Sequence, residues 1–364
     1  MDNYSAAQRR LKSQPSSWLV TGVAGFIGSH LLEALLKLDQ SVVGLDSFVT
    51  GRRHNLDEVR NRVDSSQWKR FNMIEGDIRD SALCMKSCHH VDYVLHHAAL
   101  GSVPGSLMDP LSSHESNVSG FLNVLIACRE NRVKRLIYAS SSAVYGDSQE
   151  IPAVEGHIGR LLSPYAASKF INEVYASVFA KCNDLETIGL RYFNVFGPRQ
   201  DPKGAYAAVI PRWIGEMLEG RPVRINGDGE TSRDFCYVAD VVQANILAAT
   251  AERAESANQT YNIAVGQATT LNQLLQLLQK LLPDRCPAIV PCMAEFGAFR
   301  DGDVRHSQAD ISKASQLLGY RPQYVFERGL AEALDWYVQN LNGASVKLKS
   351  SAAIPGDKPL KSAM

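Results

Sequence analysis

A chain of 364 residues exceeds what one hydrophobic core normally supports, so two domains, or one large domain with a lobe, are expected. Its 38 basic residues balance 38 acidic ones without a basic run, which removes any general electrostatic case for nucleic acid or an anionic membrane surface and leaves anion recognition to a few placed arginines. No segment is long and apolar enough to span a bilayer, and the seven cysteines, with no CxxC pair and no His cluster at zinc-ligand spacing, suit reduced, mostly buried thiols in a cytoplasm and no metal site.

Residues 1–17 (MDNYSAAQRRLKSQPSS) are polar, lack the apolar core of a signal peptide and read as a flexible leader. Trp18, Leu19 and Val20 then form a buried strand ending at Thr21, after which Gly22, Gly25 and Gly28 run into a helix over 29–38. The first glycine permits a tight turn, the second lets a pyrophosphate approach the backbone, and the third allows close packing of helix on sheet, with the anion at the helix N-terminus. A second strand, SVVGLD, ends in Asp46, placed to accept the two hydroxyls of an adenosine ribose. A carboxylate there repels a 2′-phosphate and favours NAD over NADP, with Arg52 and Arg53 close by in sequence as the opposing signal.

Strands over 18–21, 41–46, 70–75, 92–96, 135–140 and 186–192 alternate with helical stretches, the pattern of an α/β, Rossmann-type doubly wound parallel sheet over 18–195. Ligands of such sheets bind beyond the carboxyl ends of the strands, so Asp77 and Ile78 of EGDIRD and the HHAAL segment (96–100) should face a cofactor. After 195 the pattern loosens into a smaller mixed lobe over 196–342, with helices over 211–220, 238–254, 271–282 and 327–340 and some exchange of elements with the first domain. Residues 343–364 are too polar to pack and read as a disordered tail.

The chemistry sits in SPYAASKFINEVYASVFAKC, a stretch with helical apolar spacing in which Pro164 suits the first turn. Tyr165 and Lys169 are four residues apart and share a helix face. An ammonium beside a phenol favours the phenolate and lowers its pKa from about 10 toward working pH. That makes Tyr165 a general base for a hydroxyl, as alcohol oxidation requires. The preceding strand ends in YASSSAVYG (138–146), which supplies hydroxyls where the sheet opens onto the cofactor.

Taken together, TGVAGFIGSH, GDIRD, HHAAL, SSSAVYG, YAASK, LRYFNVFGP, GDGETSRDF and FRDGDVRHSQAD resemble, in order over about residues 17–340, the extended short-chain dehydrogenase/reductase superfamily, and within it the UDP-hexose 4-epimerases that act on N-acetylated sugars. The resemblance implies that Gly22, Gly25, Phe26, Ile27, Gly28, Asp46, Asp77, Ile78, Ala98, Ala99 and Gly101 line NAD, that Asn117 braces the site and that Phe193 borders the nicotinamide. It implies Tyr165 as base, Lys169 as its tuner and a ribose ligand, and Ser141, four residues before Tyr145, as the hydroxyl partner. Contacts to a UDP-sugar fall to Ser102, Ser141, Ser142, Asn194, Ala208, Val209, Ile225, Arg233, Arg300, Asp303 and Ser307, with Asn194, Arg233 and Arg300 at the nucleotide diphosphate. It also implies a homodimer through a four-helix bundle of the helices around 117–130 and 165–182, which carry more apolar positions than one core-facing stripe needs.

Three positions narrow the implied reaction. Related dehydratases carry an acid beside the catalytic hydroxyl and related decarboxylases carry Ser-Glu, whereas this chain has Ser142 and Ala143, so epimerisation without net redox is preferred. Where galactose epimerases carry lysine this chain has Gly101 and Ser102, and at the pocket wall it has Ser307, which leaves room for an N-acetyl group. The expected substrates are UDP-N-acetylglucosamine and UDP-N-acetylgalactosamine, with UDP-glucose and UDP-galactose weaker. The rivals are a UDP-uronic acid 4-epimerase, in which Arg305 and His306 would meet the carboxylate, and a UDP-glucuronate decarboxylase. A nicotinamide-sensing scaffold ranks last because both Tyr165 and Lys169 are present.

Overall fold

Short apolar runs become parallel strands where helices cover both faces of the sheet. In the computed structural model, which describes residues 2–202, 207–287, 293–299 and 304–351, these are β1 (Ser17–Thr21), β2 (Ser41–Asp46), β3 (Phe71–Glu75), β4 (Tyr93–His96), β5 (Arg135–Ser141) and β6 (Glu186–Tyr192). Each begins within one residue of its sequence expectation. A further strand, Gln259–Ile263, pairs parallel with β6, and the seven-stranded order is Gln259–Ile263, β6, β5, β4, β1, β2, β3. Strand order reverses on either side of β1, so the crevice beyond the carboxyl ends of β1 and β4 is where such a sheet receives its ligand.

That added strand amends the division at residue 195, because the sheet is completed from the second half of the chain. The helix Val238–Thr250 covers the sheet beside it and is buried over almost its whole length. What remains of the second half forms its own cluster around Trp213, Ile225, Leu274, Leu278, Leu334 and Tyr337. Its helix Leu271–Leu281 starts with a reciprocal cap, the Thr270 hydroxyl accepting from the Gln273 N–H at 3.1 Å and the Gln273 side chain accepting from the Thr270 N–H at 2.8 Å.

Both termini differ from expectation. Residues Asn3–Ser13 form a helix, α1, rather than a flexible leader. Asp2 caps it through the Ser5 N–H at 2.7 Å, and Ala7 and Leu11, one turn apart, join the sheet's core. Buried Gln40 fastens the exit by donating to the Leu11 carbonyl at 3.0 Å and accepting from the Ser16 N–H at 3.0 Å and the Trp18 indole at 3.1 Å. Two apolar residues in a polar sequence suffice for docking, which is why composition hides the helix. At the other end the helix Phe326–Ser351 runs past the expected tail boundary at 343, while 352–364 lie outside the described residues.

Buried Asp234 ties the lobe to the mouth of the sheet. Its carboxylate accepts from the N–H groups of Val265 at 3.0 Å, Gly266 at 3.0 Å and Ala309 at 3.1 Å, and its carbonyl accepts from the Asn194 amide at 3.3 Å. Asp234→Ala removes the acceptor of three backbone donors, that of Ala309 buried and the other two half-buried, and is expected to lower unfolding stability by about 3 kcal/mol. Urea unfolding of the variant checks this: a lower midpoint at unchanged slope is expected.

Candidate active site

The backbone closes tightly at the end of β1. Gly22 has a φ of +70°, and a Cβ there would lie 2.7 Å from the Ala98 nitrogen; a Cβ on Gly28 would lie 2.0 Å from the Gly22 carbonyl oxygen. The helix α2 (Phe26–Lys37) begins at Gly25 with no side-chain cap, so its first N–H groups stay available at the crevice. Beside it the Thr21 hydroxyl accepts from the N–H groups of His97 and Ala98, each at 3.2 Å, so its own proton goes to His96 Nδ1 at 2.8 Å.

At the end of β2, Asp46 is buried and accepts from the Ala24 N–H and the Phe48 N–H, both at 2.8 Å; burial raises its pKa against these two donors. The two neighbouring arginines are engaged elsewhere, Arg52 with Asp201 and Arg53 with Glu75 at 2.5 Å. A cradle that any side chain at Gly28 would fill, an uncapped helix start and an acid one strand away fit NAD.

Tyr165 and Lys169 lie on the helix Pro164–Asn183, which opens with Pro164 in its first turn and a Ser163 hydroxyl accepting from the Ala166 N–H at 3.1 Å. Lys169 is buried, donates to the Ala139 carbonyl at 2.9 Å and holds its Nζ 5.9 Å from the Tyr165 ring centre. Burial lowers its pKa to about 8. Burial also raises the Tyr165 pKa, opposed by a hydrogen bond with the Ser141 hydroxyl. In the protein alone desolvation prevails, and the expected lowering by Lys169 is not among the causes acting on the phenol. The Tyr165 N–H donates to the Ser106 hydroxyl at 3.0 Å, which pins the segment after Gly101 to the start of the helix.

These groups share one cleft of about 840 Å³, into which Gly22, Gly25, Phe26, Ile27, Gly28, Ala99, Gly101, Ser102, Ser141, Ser142, Phe193, Asn194, Arg233 and Ser307 also face. Asn117 stands behind it on the π-helical turn Glu115–Ser119, accepting from the Leu100 N–H at 2.8 Å and donating to the Leu100 carbonyl and the Ser168 hydroxyl, both at 3.1 Å. Ala98 likewise lies behind the lining, by the Gly22 turn.

Other expected residues are placed elsewhere. Asp77 pairs with Arg79 at 2.8 Å outside the lining, and Ile78 is buried against Gly120. Ile225 is in the lobe core, while Ala208 and Val209 start the helix Val209–Leu218 outside the lining. Arg300 and Asp303 fall outside the described residues.

Several lining residues had no individual role in the sequence reading, among them His97 and Tyr145. His97 bonds through Nε2 to the Tyr192 hydroxyl at 2.9 Å, which accepts from Asn245 at 2.9 Å; burial lowers the His97 pKa to about 3 and keeps it neutral. Tyr145 accompanies it in the cleft wall. The second histidine of HHAAL and the aromatic of SSSAVYG were the available signals.

Residues 18–264 match the family described as "NAD dependent epimerase/dehydratase family". A relative from Methanocaldococcus jannaschii, a putative UDP-glucose 4-epimerase, is 35% identical over 88% of this chain and 98% of its own length. Among solved structures, the UDP-N-acetylglucosamine 4-epimerase from Methanobrevibacter ruminantium M1 in complex with UDP-N-acetylmuramic acid superposes with a TM-score of 0.81 at 37% identity, over 90% of this chain and 99% of the other. The UDP-glucuronic acid 4-epimerase from Bacillus cereus in complex with UDP-glucuronic acid and NAD gives 0.78 at 31% identity, over 89% and 99%.

Gly28→Ala drives a methyl group into the Gly22 carbonyl and opens the cradle. The purified variant is expected to carry far less NAD than the parent, measured by releasing the cofactor with acid and assaying it enzymatically. Undiminished cofactor content would show that the turn is not its seat.

Proposed function

The chain belongs to the NAD dependent epimerase/dehydratase family, and we propose that it is a UDP-sugar 4-epimerase whose preferred pair is UDP-N-acetylglucosamine and UDP-N-acetylgalactosamine, with UDP-glucose and UDP-galactose turned over more weakly. The observation that carries the substrate choice is a wall of small residues around the reacting face. A Cβ on Gly101 would have no neighbour within 4 Å, and Ser142 and Ser307 line the same cleft as Tyr165. Space beside the sugar suits a 2-acetamido group.

Bound NAD supplies reversible two-electron oxidation at a carbinol carbon. Tyr165 takes the proton of the sugar 4-hydroxyl, and the Ser141 hydroxyl holds the oxygen it leaves. The Lys169 charge favours the phenolate. When the 4-keto sugar has turned over within the cleft, Tyr165 returns the proton on the opposite face. Asn194 and Arg233 hold the nucleotide end, so the anchoring energy does not depend on which sugar face is presented.

A uronic acid is the closest rival, since similar proteins act on UDP-glucuronic acid. The neutral sugar is favoured by the engagement of both groups flanking Ser307: Arg305 pairs with Asp228 at 2.6 Å and His306 Nδ1 bonds to the Ser232 hydroxyl at 3.0 Å. Decarboxylation lacks an acid beside Ser142. We also infer a homodimer through a four-helix bundle: Val174, Tyr175 and Val178 on the Tyr165 helix and Leu111 nearby are exposed, an apolar face that a second copy would cover. The buried thiols of Cys84, Cys88, Cys128 and Cys236 support a reducing compartment such as the cytoplasm.

Incubation with UDP-GlcNAc, UDP-glucose and UDP-glucuronic acid, followed by product identification, tests the assignment directly. Tyr165→Phe is expected to cut turnover by about two to four orders of magnitude with NAD retained; near-normal turnover would refute the assignment of the base. Lys169→Met removes the cation that favours the phenolate, so the acid limb of the kcat/KM profile should move to higher pH. In the parent that support should fade as the pH rises through about 8, where buried Lys169 loses its proton.

Ser307→Tyr refills the wall, and specificity should swing toward UDP-glucose, since steric exclusion costs more than the roughly 1–3 kcal/mol of one methylene. The turn before the helix Ser312–Leu317 is capped by Asp310, not Ser307, so the change is not expected to unfold it. An unchanged ratio of specificity constants for the two sugars would remove Ser307 from the wall. Light scattering should return twice the chain mass, and Val178→Asp should move it toward the monomer.

A further inference from the structure

Ser307 sits on a segment held from two sides. On one side the Ser307 N–H donates to the Ser232 carbonyl at 3.1 Å and the Ser232 N–H to the Arg305 carbonyl at 2.9 Å. On the other, the Ala153 N–H donates to the Gln308 carbonyl at 2.8 Å and the Asp310 N–H to the Ala153 carbonyl at 3.0 Å. The second anchor is joined to the main sheet by one amide. Buried Asn262, on the strand Gln259–Ile263, donates both its Nδ2 protons, to the Ala153 carbonyl at 2.9 Å and the Asp310 carbonyl at 3.0 Å. With Nδ2 committed, its Oδ1 must face a donor, and that donor is the Tyr145 hydroxyl at 2.6 Å.

Tyr145 is in turn fixed from below. The Arg191 guanidinium lies 5.0 Å from its ring centre, a cation–π contact. Arg191 makes a forked pair with Glu173, at 2.9 and 2.7 Å, and Glu173 also accepts from the Ser140 hydroxyl at 2.6 Å. This pair is buried, and Glu173 belongs to the same helix as Tyr165 and Lys169. A continuous path of contacts therefore runs from the helix carrying Tyr165, across the Arg191–Tyr145 ring contact and the Tyr145–Asn262 hydrogen bond, to the segment carrying Ser307. Burial raises the Tyr145 pKa to about 12, so it keeps the proton it donates to Asn262 across the working range.

We propose that Tyr145 is a positioning residue for substrate selection, which through Asn262 fixes Ser307 and the 305–310 segment against the helix bearing Tyr165. The inference rests on the 4-epimerase reading. The hydroxyl does this work while the ring keeps its place against Phe193, whose ring centre is 5.9 Å away. Removing one oxygen leaves the packing and loosens one anchor of the wall, which is also held by Asp234 through the Ala309 N–H at 3.1 Å and by the Gly266 carbonyl through the Gln308 amide at 2.9 Å.

The test is Tyr145→Phe, assayed with UDP-GlcNAc and UDP-glucose. KM for the acetylated sugar is expected to rise about three- to tenfold, the worth of one buried hydrogen bond, with kcat within about twofold and UDP-glucose little affected. Asn262→Asp keeps the acceptor for Tyr145 but loses both donors to the wall, and should reproduce the shift. Combined with Ser307→Tyr, Tyr145→Phe should add little further change, because both act through one segment. Equal losses on both sugars, a fall in kcat alone, or fully multiplicative effects would overturn the inference. Amide hydrogen exchange over 305–310 reads the same device without turnover: it should quicken in Tyr145→Phe, and unchanged exchange also overturns the inference. Wild-type protein that converts none of the UDP-sugars would instead refute the epimerase reading.

Discussion

Everything at the site depends on how closely α2 approaches the end of β1. The carbonyl of Gly22 occupies the space that a side chain at Gly28 would need, with only 2.0 Å between them. That approach brings the uncapped start of α2 to the crevice and aligns it with the carboxyl ends of β1 and β4. His97, Ala99 and the serines of β5 then line the same opening, and Asp46 ends its strand on the same side, because parallel strands all end on one side. The glycine spacing is thus a packing requirement first and an anion site as a result.

The second constraint is the polar interior behind the reacting helix. Lys169, Glu173 and Arg191 are all buried, and a buried charge costs several kcal/mol unless paired. Glu173 and Arg191 offset each other through a forked pair, whereas Lys169 has one carbonyl partner and a depressed pKa. A lysine left under-satisfied in the protein has donors to spare for a ribose hydroxyl. Likewise burial raises the Tyr165 phenol, opposed by the Ser141 hydroxyl.

Much of this was legible in the sequence where periodicity and position coincide. Six strands, the glycine turn and the Tyr165–Lys169 pair follow from apolar runs, special backbone angles and helical spacing. The strand Gln259–Ile263 was not, because QTYNI lacks an apolar run: its asparagine is buried as a bridge rather than exposed. Ile225 shows the converse. It faces inward on the alternating strand Val223–Asn226, and nothing local distinguishes a core isoleucine from one touching a ligand. For Tyr165 the spacing reports a neighbour's charge but not the solvent that both groups lose, and burial raises the phenol in the protein alone.

The crossing of Gln259–Ile263 into the first sheet bears on how such proteins diversify. The segment carrying Ser307 is held in part by Asn262, and Asn262 belongs to the strand that completes the first sheet. Recognition cannot be transplanted as a separate module joined at residue 195. A recombination between relatives that exchanged only the lobe would carry off the sheet's edge strand with it and leave β6 bare.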